Sequence, residues 1–168
     1  MGVNGKQKGA GFEREICKKL SLWITKGEKV DCFWRSAMSG GRATVAKGAV
    51  RQAGDITAVA PEGHALTDVL YIECKNYKDV DLDCLVKGKG TLLTFWKTAQ
   101  KEAAKYNRIP TLIFKRNHWP IMFCTSREGI RLLKIKPSIS YHNGNLHMWP
   151  LDELLKQPFL GLPATPIK

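Results

Sequence analysis

Two short stretches, Gly54–Ile56 and Tyr71–Lys75, carry residues that could bind a metal ion and act on a phosphate. In the second stretch, the alternation of an extended strand places Glu73 and Lys75 side by side on one face. In the first, Asp55 opens an apolar strand that is predicted to pair antiparallel with the second stretch across a turn-rich link at residues 61–64. That pairing would bring Asp55 close to Glu73.

Two carboxylates and a lysine that meet at the end of a sheet suit the hydrolysis of a phosphodiester. Carboxylate oxygens bind Mg²⁺ or Mn²⁺, the ion neutralises the scissile phosphate and generates a hydroxide, and the ammonium orients or activates the attacking water. The Glu-x-Lys pattern alone fits a second interpretation equally well, an ion pair on one face of a half-solvated sheet. The rest of the chain must therefore decide between them.

Composition favours a polyanionic partner. The 168 residues include 27 Lys and Arg against 15 Asp and Glu, a net charge of +12. Nucleic acid is favoured over a membrane surface, because no basic helix with a bulky apolar face is evident. A basic protein without such a partner is the alternative. The chain shows no apolar run of membrane-spanning length and no secretory signal, which predicts an intracellular, cytoplasmic protein.

The five cysteines are scattered and form no C-x-x-C pair, which argues against a zinc site and against a disulfide framework. We expect buried, reduced thiols.

A predicted amphipathic helix over Gly9–Trp23 places one carboxylate where a charge is costly. At 100° per residue, Glu13 falls on the apolar face, whereas Glu15 falls on the solvent side. A core-facing carboxylate needs a metal ion or a basic partner to offset its desolvation. Glu13 is therefore a candidate site residue, with a rim carboxylate bound to a strand end as the alternative.

The segment 36–54 is rich in glycine and contains basic residues but no acidic ones. Backbone N–H groups and the cations Arg42, Lys47 and Arg51 could together clamp a phosphate. A solvated flexible loop is the alternative, and the two are compatible because such loops often order on binding. A second basic pair between glycines, Lys87 and Lys89, is also predicted to bind DNA.

The periodicities predict one α/β domain with a mixed sheet of about five strands flanked by helices. A helix over Thr91–Asn107 would connect parallel strands, and a hairpin would join strands near residues 111–114 and 121–124. A short helix at 126–133, a turn at 142–145 and a helical turn at 151–156 follow. The predicted domain spans residues 9–157, after a flexible basic arm (1–8) and before a Pro-rich tail (158–168).

Four segments in the same order resemble one known family. They are Lys8-Gly9-Ala10-Gly11-Phe12-Glu13-Arg14-Glu15, Arg35-Ser36, Gly54-Asp55-Ile56-Thr57-Ala58-Val59 and Ile72-Glu73-Cys74-Lys75. This combination is similar to the archaeal-type Holliday junction resolvases of the PD-(D/E)xK nuclease superfamily. The likeness covers roughly residues 6–125, and the first segment is more specific than Glu-x-Lys. It implies a restriction-endonuclease-like core.

Carried onto the matching positions, the resemblance implies a catalytic site of Glu13, Asp55, Glu73 and Lys75. Asp55 and Glu73 would be metal ligands together with the backbone carbonyl of Cys74, and Glu13 would be an optional ligand, directly or through water. Lys75 would position or activate the attacking water. The implied cofactor is Mg²⁺, with Mn²⁺ as a substitute.

The resemblance also implies how DNA is bound and cut. Arg14 and Arg35 would contact phosphates beside the scissile one, and Ser36 or Ser39 would start a mobile loop that reaches branched DNA. Members of the family act as homodimers that cut symmetrical strands of a four-way junction, leaving 5′-phosphate and 3′-hydroxyl ends. Here the segment from Arg35 to Asp55 is longer than in the archaeal pattern, and the region after Arg127 differs.

Two other functions fit the same residues. One is a restriction-like, nicking or repair nuclease that uses the same chemistry on other DNA. The other is a DNA-binding module that keeps the fold without cutting. A complete carboxylate cluster argues against the second, because carboxylates repel phosphate and a binding module has no need of them.

Overall fold

A five-stranded mixed sheet forms the centre of the computed structural model, which describes residues 5–36 and 53–162. The helices in chain order are α1 (Gly5–Ile24), α2 (Pro61–Thr67), α3 (Cys84–Lys87), α4 (Thr91–Lys105), α5 (Arg127–Leu133) and α6 (Leu151–Leu155). The strands are β1 (Phe33–Arg35), β2 (Ile56–Ala58), β3 (Leu70–Tyr77), β4 (Ile109–Arg116), β5 (Met122–Thr125), β6 (Ile139–Tyr141) and β7 (Leu146–Pro150). Within the described ranges, no helix is both long and apolar enough to cross a membrane.

The sheet has the strand order β3-β4-β5-β7-β6, with β3 at one edge. β3 and β4 are parallel and the other pairs are antiparallel. The parallel pair follows from α4, since a helical crossover returns the chain to the same end of the sheet. The predicted α/β class, mixed five-stranded sheet and crossover helix are confirmed.

The two faces of the sheet pack against different helices. On one face, Ile16 and Leu20 of α1 lie in a buried cluster with Ile72 of β3. On the other, Trp96 of α4 packs in a second cluster with Phe114 of β4. A residue on β3 therefore faces α1 or α4 according to its parity along the strand.

The predicted pairing of the Asp55 strand with the Glu73 strand is wrong. β2 pairs antiparallel with β1 in a separate two-stranded sheet, with Thr57 opposite Trp34. The predicted turn at 61–64 is the start of α2, because Pro61 occupies the first helical turn, where its missing N–H costs nothing. The backbone hydrogen bond to the edge of β3 comes instead from Asp55, the residue before β2.

Several element ends differ from the prediction. α1 begins at Gly5, so residues 5–8 of the predicted arm are helical; Lys and Gln are good helix formers there. The first strand, predicted over Val30–Ser36, is limited to the three residues of β1. All five cysteines are buried free thiols, as predicted.

A buried histidine on β7 gives the fold a predicted pH dependence. The Nδ1 of His147 lies 2.8 Å from the Ser140 hydroxyl, and its Nε2 has no hydrogen-bond partner among the described residues. Burial lowers the pKa of His147, and the neighbouring charges of His142 and Arg127 lower it further. The folded protein therefore binds a proton less readily than the unfolded chain.

Because the unfolded chain binds this proton more readily, we expect the folded state to lose stability as the pH falls through about 6.5, the ordinary pKa of histidine. The comparison is with His147→Gln, which does not titrate, by urea unfolding between pH 7.5 and 5.5. The free energy of unfolding of the wild type should fall relative to that of the variant as the pH falls. Parallel profiles for the two proteins would contradict this prediction.

Candidate active site

Asp55 is fixed against the edge of β3 by two hydrogen bonds. Its backbone N–H donates to the carbonyl of Ile72 at 2.8 Å, and its Oδ2 accepts from the backbone N–H of Cys74 at 2.8 Å. The side chain is buried, with 9% of the residue exposed. Although β2 does not pair with β3, Asp55 therefore lies against the strand that carries Glu73, as predicted.

Gly54 makes this close approach possible. Its φ is +88°, and a Cβ at this position would lie 2.6 Å from the carbonyl oxygen of Ile72. A side chain here would therefore both strain the backbone and push Asp55 away from β3.

Replacing Gly54 with Ala is expected to destabilise the protein by more than 2 kcal/mol, roughly the positive-φ cost plus the backbone clash. Gly27→Ala is the matched control, because Gly27 has a φ of +94° with no atom within 4 Å of the added Cβ. It should show only the φ cost, about 1–2 kcal/mol. Urea unfolding measures both variants, and equal losses of stability would contradict the proposed close approach.

Glu73 is held by its neighbours on the same face of β3. The Tyr71 hydroxyl donates to Oε2 at 3.2 Å, and the Lys75 ammonium donates to Oε1 and forms an ion pair with it. The Tyr71 ring stacks on Tyr106 of the segment after α4, with centroids 6.2 Å apart. Lys75 lies 5.8 Å from the centre of the Phe95 ring of α4. The alternation predicted for β3 is confirmed.

Burial and neighbouring charges change the pKa values of Asp55 and Lys75. Burial, and next the charge of Glu73, raise the pKa of Asp55 to about 7, against the opposing effects of the Cys74 N–H and Lys75. Burial also acts to lower the pKa of Lys75, but the charge and hydrogen bond of Glu73 outweigh it and the net shift is upward. Lys75 is therefore a cation at neutral pH, whereas Asp55 is a carboxylate that a positive charge nearby would stabilise.

Glu13 has the basic partner that its position on α1 requires. Its side chain is 13% exposed, and its Oε2 accepts from Nε of Arg35 at 2.6 Å. Arg35, predicted to contact phosphate, is thus engaged with Glu13, and Arg14 is exposed. Ser36 is buried, and its backbone N–H donates to the carbonyl of Asp55 at 2.9 Å.

Of the other residues predicted to bind DNA, the structure describes Lys87 and Lys89. Lys87 is exposed and lies 3.9 Å from Asp81 and 3.7 Å from Asp83. Lys89 is also exposed. The remaining predicted contacts lie outside the described residues; they are Ser39, Arg42, Lys47 and Arg51.

The donor chemistry of the site fits a hard divalent cation. Mg²⁺ is commonly held by one or two carboxylates, with waters and substrate oxygens completing its shell. A cation between Asp55 and Glu73 would relieve the repulsion that raises the pKa of Asp55. No group of three or more His, Cys, Asp or Glu side chains is placed to hold a metal ion in residues 5–36 and 53–162. A metal here would depend on those two carboxylates and on backbone or substrate oxygens.

Two contacts of charged residues on β3 and β4 are not among the sequence-based predictions. Tyr71 as a second partner of Glu73 was detectable, since it lies two residues earlier on the same strand face. The pair of Lys115 with Glu15, 3.4 Å apart, was not, because it joins residues 100 positions apart on β4 and α1.

The chain is an α/β protein that brings an Asp and a Glu-x-Lys triplet together at a sheet edge. A sequence model of the family described as "Phage putative PDDEXK endonuclease" matches residues 4–147. The chain belongs to this family of phage endonucleases. No curated protein and no solved structure matched the chain.

Family membership confirms part of the resemblance. It supports the PD-(D/E)xK superfamily and a nuclease, whose partner is DNA and whose relatives generally use divalent metal ions. It does not extend to the junction-resolving family or to Mg²⁺ in particular.

Proposed function

We propose that this protein is a Mg²⁺-dependent endodeoxyribonuclease, with Mn²⁺ as a substitute. The observation that carries the proposal is the fixed approach of the buried Asp55 to the strand that presents Glu73 and Lys75. A structural ion pair on a half-solvated sheet requires only the last two residues. It has no use for a second carboxylate, that of the buried Asp55, whose ionisation costs free energy.

Asp55, Glu73 and the carbonyl of Cys74 would hold the ion. When bound, the ion supplies charge stabilisation at the scissile phosphate and lowers the pKa of water. The Cys74 N–H fixes one oxygen of Asp55, and Tyr71 fixes one oxygen of Glu73. Lys75, already protonated, is placed to orient the attacking water and to attract the phosphate.

Glu13 has a second role in this proposal, beyond the metal binding implied by resemblance. Because its Oε2 is bound to Arg35, it holds that guanidinium beside the site. Arg35 would then present its remaining N–H groups to a phosphate. Glu13 would contribute to metal binding through water.

For the substrate we propose branched DNA, with the four-way junction first, cut as symmetrical nicks by a homodimer. The support is the segment from Lys8 to Glu15, whose pattern resembles that of junction resolvases. The net charge of +12 favours a substrate that presents several phosphate backbones at once.

The test is an incubation of the purified protein with Mg²⁺ and end-labelled substrates. The panel is a four-way junction, a Y-fork, a nicked duplex, a linear duplex and a single strand, with sedimentation of the protein at micromolar concentration in parallel. Paired nicks confined to the junction, from a dimer, are the expected result.

Other outcomes separate the alternatives. Cutting of duplex or single strands at least equal to that of the junction would retain the nuclease and reject the resolvase. Tight binding without cutting, in both Mg²⁺ and Mn²⁺, would favour the binding module. A monomer at micromolar concentration would count against paired cleavage.

A further inference from the structure

An exposed aromatic and cationic patch lies where β3 and β4 end. It consists of Tyr77, Arg116 and Trp119. The guanidinium carbon of Arg116 lies 4.7 Å from the centre of the Trp119 ring. Tyr77 is 46% exposed and Trp119 is 39% exposed, so both rings are accessible to a ligand.

The patch is held in place by the backbone around it. Nη1 of Arg116 donates to the carbonyl of Val80 at 3.2 Å, and the N–H of Trp119 donates to the carbonyl of Arg116 at 3.2 Å. The N–H of Asn117 reaches the carbonyl of Lys78 at 3.4 Å, which ties the β4–β5 turn to the end of β3. The rings therefore need little ordering on binding, so less of the binding free energy is lost.

The patch continues the catalytic face of β3. Tyr77 follows Lys75 by two residues, and both contact the same ring, that of Phe95. Tyr77 and Arg116 are register partners on adjacent strands. At about 3.3 Å per residue and about 4.8 Å between strands, the backbone of Tyr77 lies roughly 7 Å, and that of Arg116 roughly 8 Å, from the backbone of Lys75.

A purely structural role explains only part of the patch. The Tyr77 ring packs on Phe95 with centroids 4.8 Å apart, so burial of one ring face accounts for Tyr77. The described contacts of Trp119 are the guanidinium and its own turn, and its ring adds little to either buried cluster. A cation stacked on an exposed ring near phosphate-binding chemistry is the arrangement that proteins use to stack an unpaired base.

We infer that this patch binds an unpaired base of the DNA, near the scissile phosphate, by stacking it on Trp119. Arg116 holds the ring from one side and contributes positive charge. The substrate class is DNA with unpaired nucleotides beside the cut, as at a branch point or a single-strand gap, because a base within a continuous duplex has no free face to stack. The inference rests on the proposed function.

The test uses Trp119→Leu, which removes the ring but keeps an apolar side chain, and Trp119→Phe as the matched control that keeps a ring. Both are made in an Asp55→Asn background so that the substrate stays intact. Binding is measured with a gapped duplex that carries 2-aminopurine in the gap, and with the same sequence fully paired. Thermal unfolding checks that both variants are folded.

The expected result has three parts. Trp119→Leu weakens binding of the gapped duplex about tenfold, in line with the loss of one base stack. It changes binding of the paired duplex less than twofold and removes the quenching of 2-aminopurine. Trp119→Phe stays within about threefold of the parent on both substrates.

Other results overturn the inference. Equal losses on gapped and paired DNA would show that Trp119 is a general contact and not a reader of unpaired bases. No change on either substrate would show that the patch does not meet DNA. If the parent protein bound neither substrate, the proposed function itself would fail, a result that is distinct from binding that is insensitive to Trp119.

Discussion

Replacing Asp55 with Asn is expected to reduce DNA cleavage by at least about 10³-fold while leaving DNA binding unchanged or tighter. Loss of a carboxylate ligand removes the metal's stabilisation of the transition state, worth several kcal/mol. Removal of a negative charge beside the phosphate lessens repulsion. Asn keeps an oxygen that can accept from the Cys74 N–H, so the geometry of the edge of β3 is preserved. Single-turnover cleavage and filter binding measure the two effects.

The same variant has a second expected signature, in stability. Because the pKa of Asp55 is raised to about 7, ionising it at pH 8 costs the folded state free energy that the unfolded chain does not lose. In EDTA at pH 8, Asp55→Asn should therefore have a larger free energy of unfolding than the wild type, by on the order of a few kcal/mol, and should unfold at a higher temperature. Mg²⁺ should raise the unfolding temperature of the wild type but not that of Asp55→Asn.

Asp152→Asn is the matched control for both measurements, because Asp152 is exposed and pairs with Lys19 on the surface. It should cleave and unfold like the wild type. Full cleavage by Asp55→Asn, or equal stabilisation of Asp55→Asn and the wild type by Mg²⁺, would show that the metal site has been placed wrongly.

Replacing Lys75 with Met is expected to lower cleavage by about 10²- to 10³-fold. Lys75 supplies a fixed cation at neutral pH and holds one oxygen of Glu73, and Met fills a similar volume without either function. Glu73 should then bind the ion more freely, so Mg²⁺ affinity should rise while cleavage falls. Cleavage as a function of Mg²⁺ concentration separates the two effects.

Lys115→Met provides the comparison for Lys75→Met. Lys115 lies on the neighbouring strand and also pairs with a glutamate, Glu15, but toward α1 and away from Phe95. We expect its loss to reduce cleavage less than fivefold. Equal defects in the two variants would mean that the loss reflects general charge, and it would remove the assigned role of Lys75.

Much of the fold could be predicted because its elements carry strong local periodicity. The apolar stripe of α4 and the alternation of β3 indicate which residues of each element face the core. Because α4 is the helical crossover from β3 to β4, the two strands are parallel. The partner of β2 could not be predicted in the same way. β2 has three residues, which carry little information about the strand it pairs with. In the sequence, the start of α2 at Pro61 resembles a turn, and that interpretation leads to the wrong strand pairing.

The site was predicted better by residue type than by geometry. Asp55, Glu73 and Lys75 lie together as their spacing suggested, although Asp55 is held by two hydrogen bonds to β3, next to the close approach at Gly54, and not by a strand pair. The Glu13 partner depended on long-range packing, because Arg35 comes from a strand that the α1 periodicity does not specify. Local patterns thus indicated which residues need a partner, whereas only the tertiary structure shows the partner.

The two-stranded sheet of β1 and β2 gives the catalytic arrangement a stability of its own. Asp55 lies at the seam between the two-stranded sheet and the five-stranded sheet, and it makes two hydrogen bonds across this seam to β3. Opening such a seam requires less free energy than unfolding the five-stranded sheet, since partial openings involve fewer buried contacts. The proposed site can therefore lose its geometry while most of the secondary structure persists, so cleavage should stop at a lower temperature than the one at which the protein unfolds.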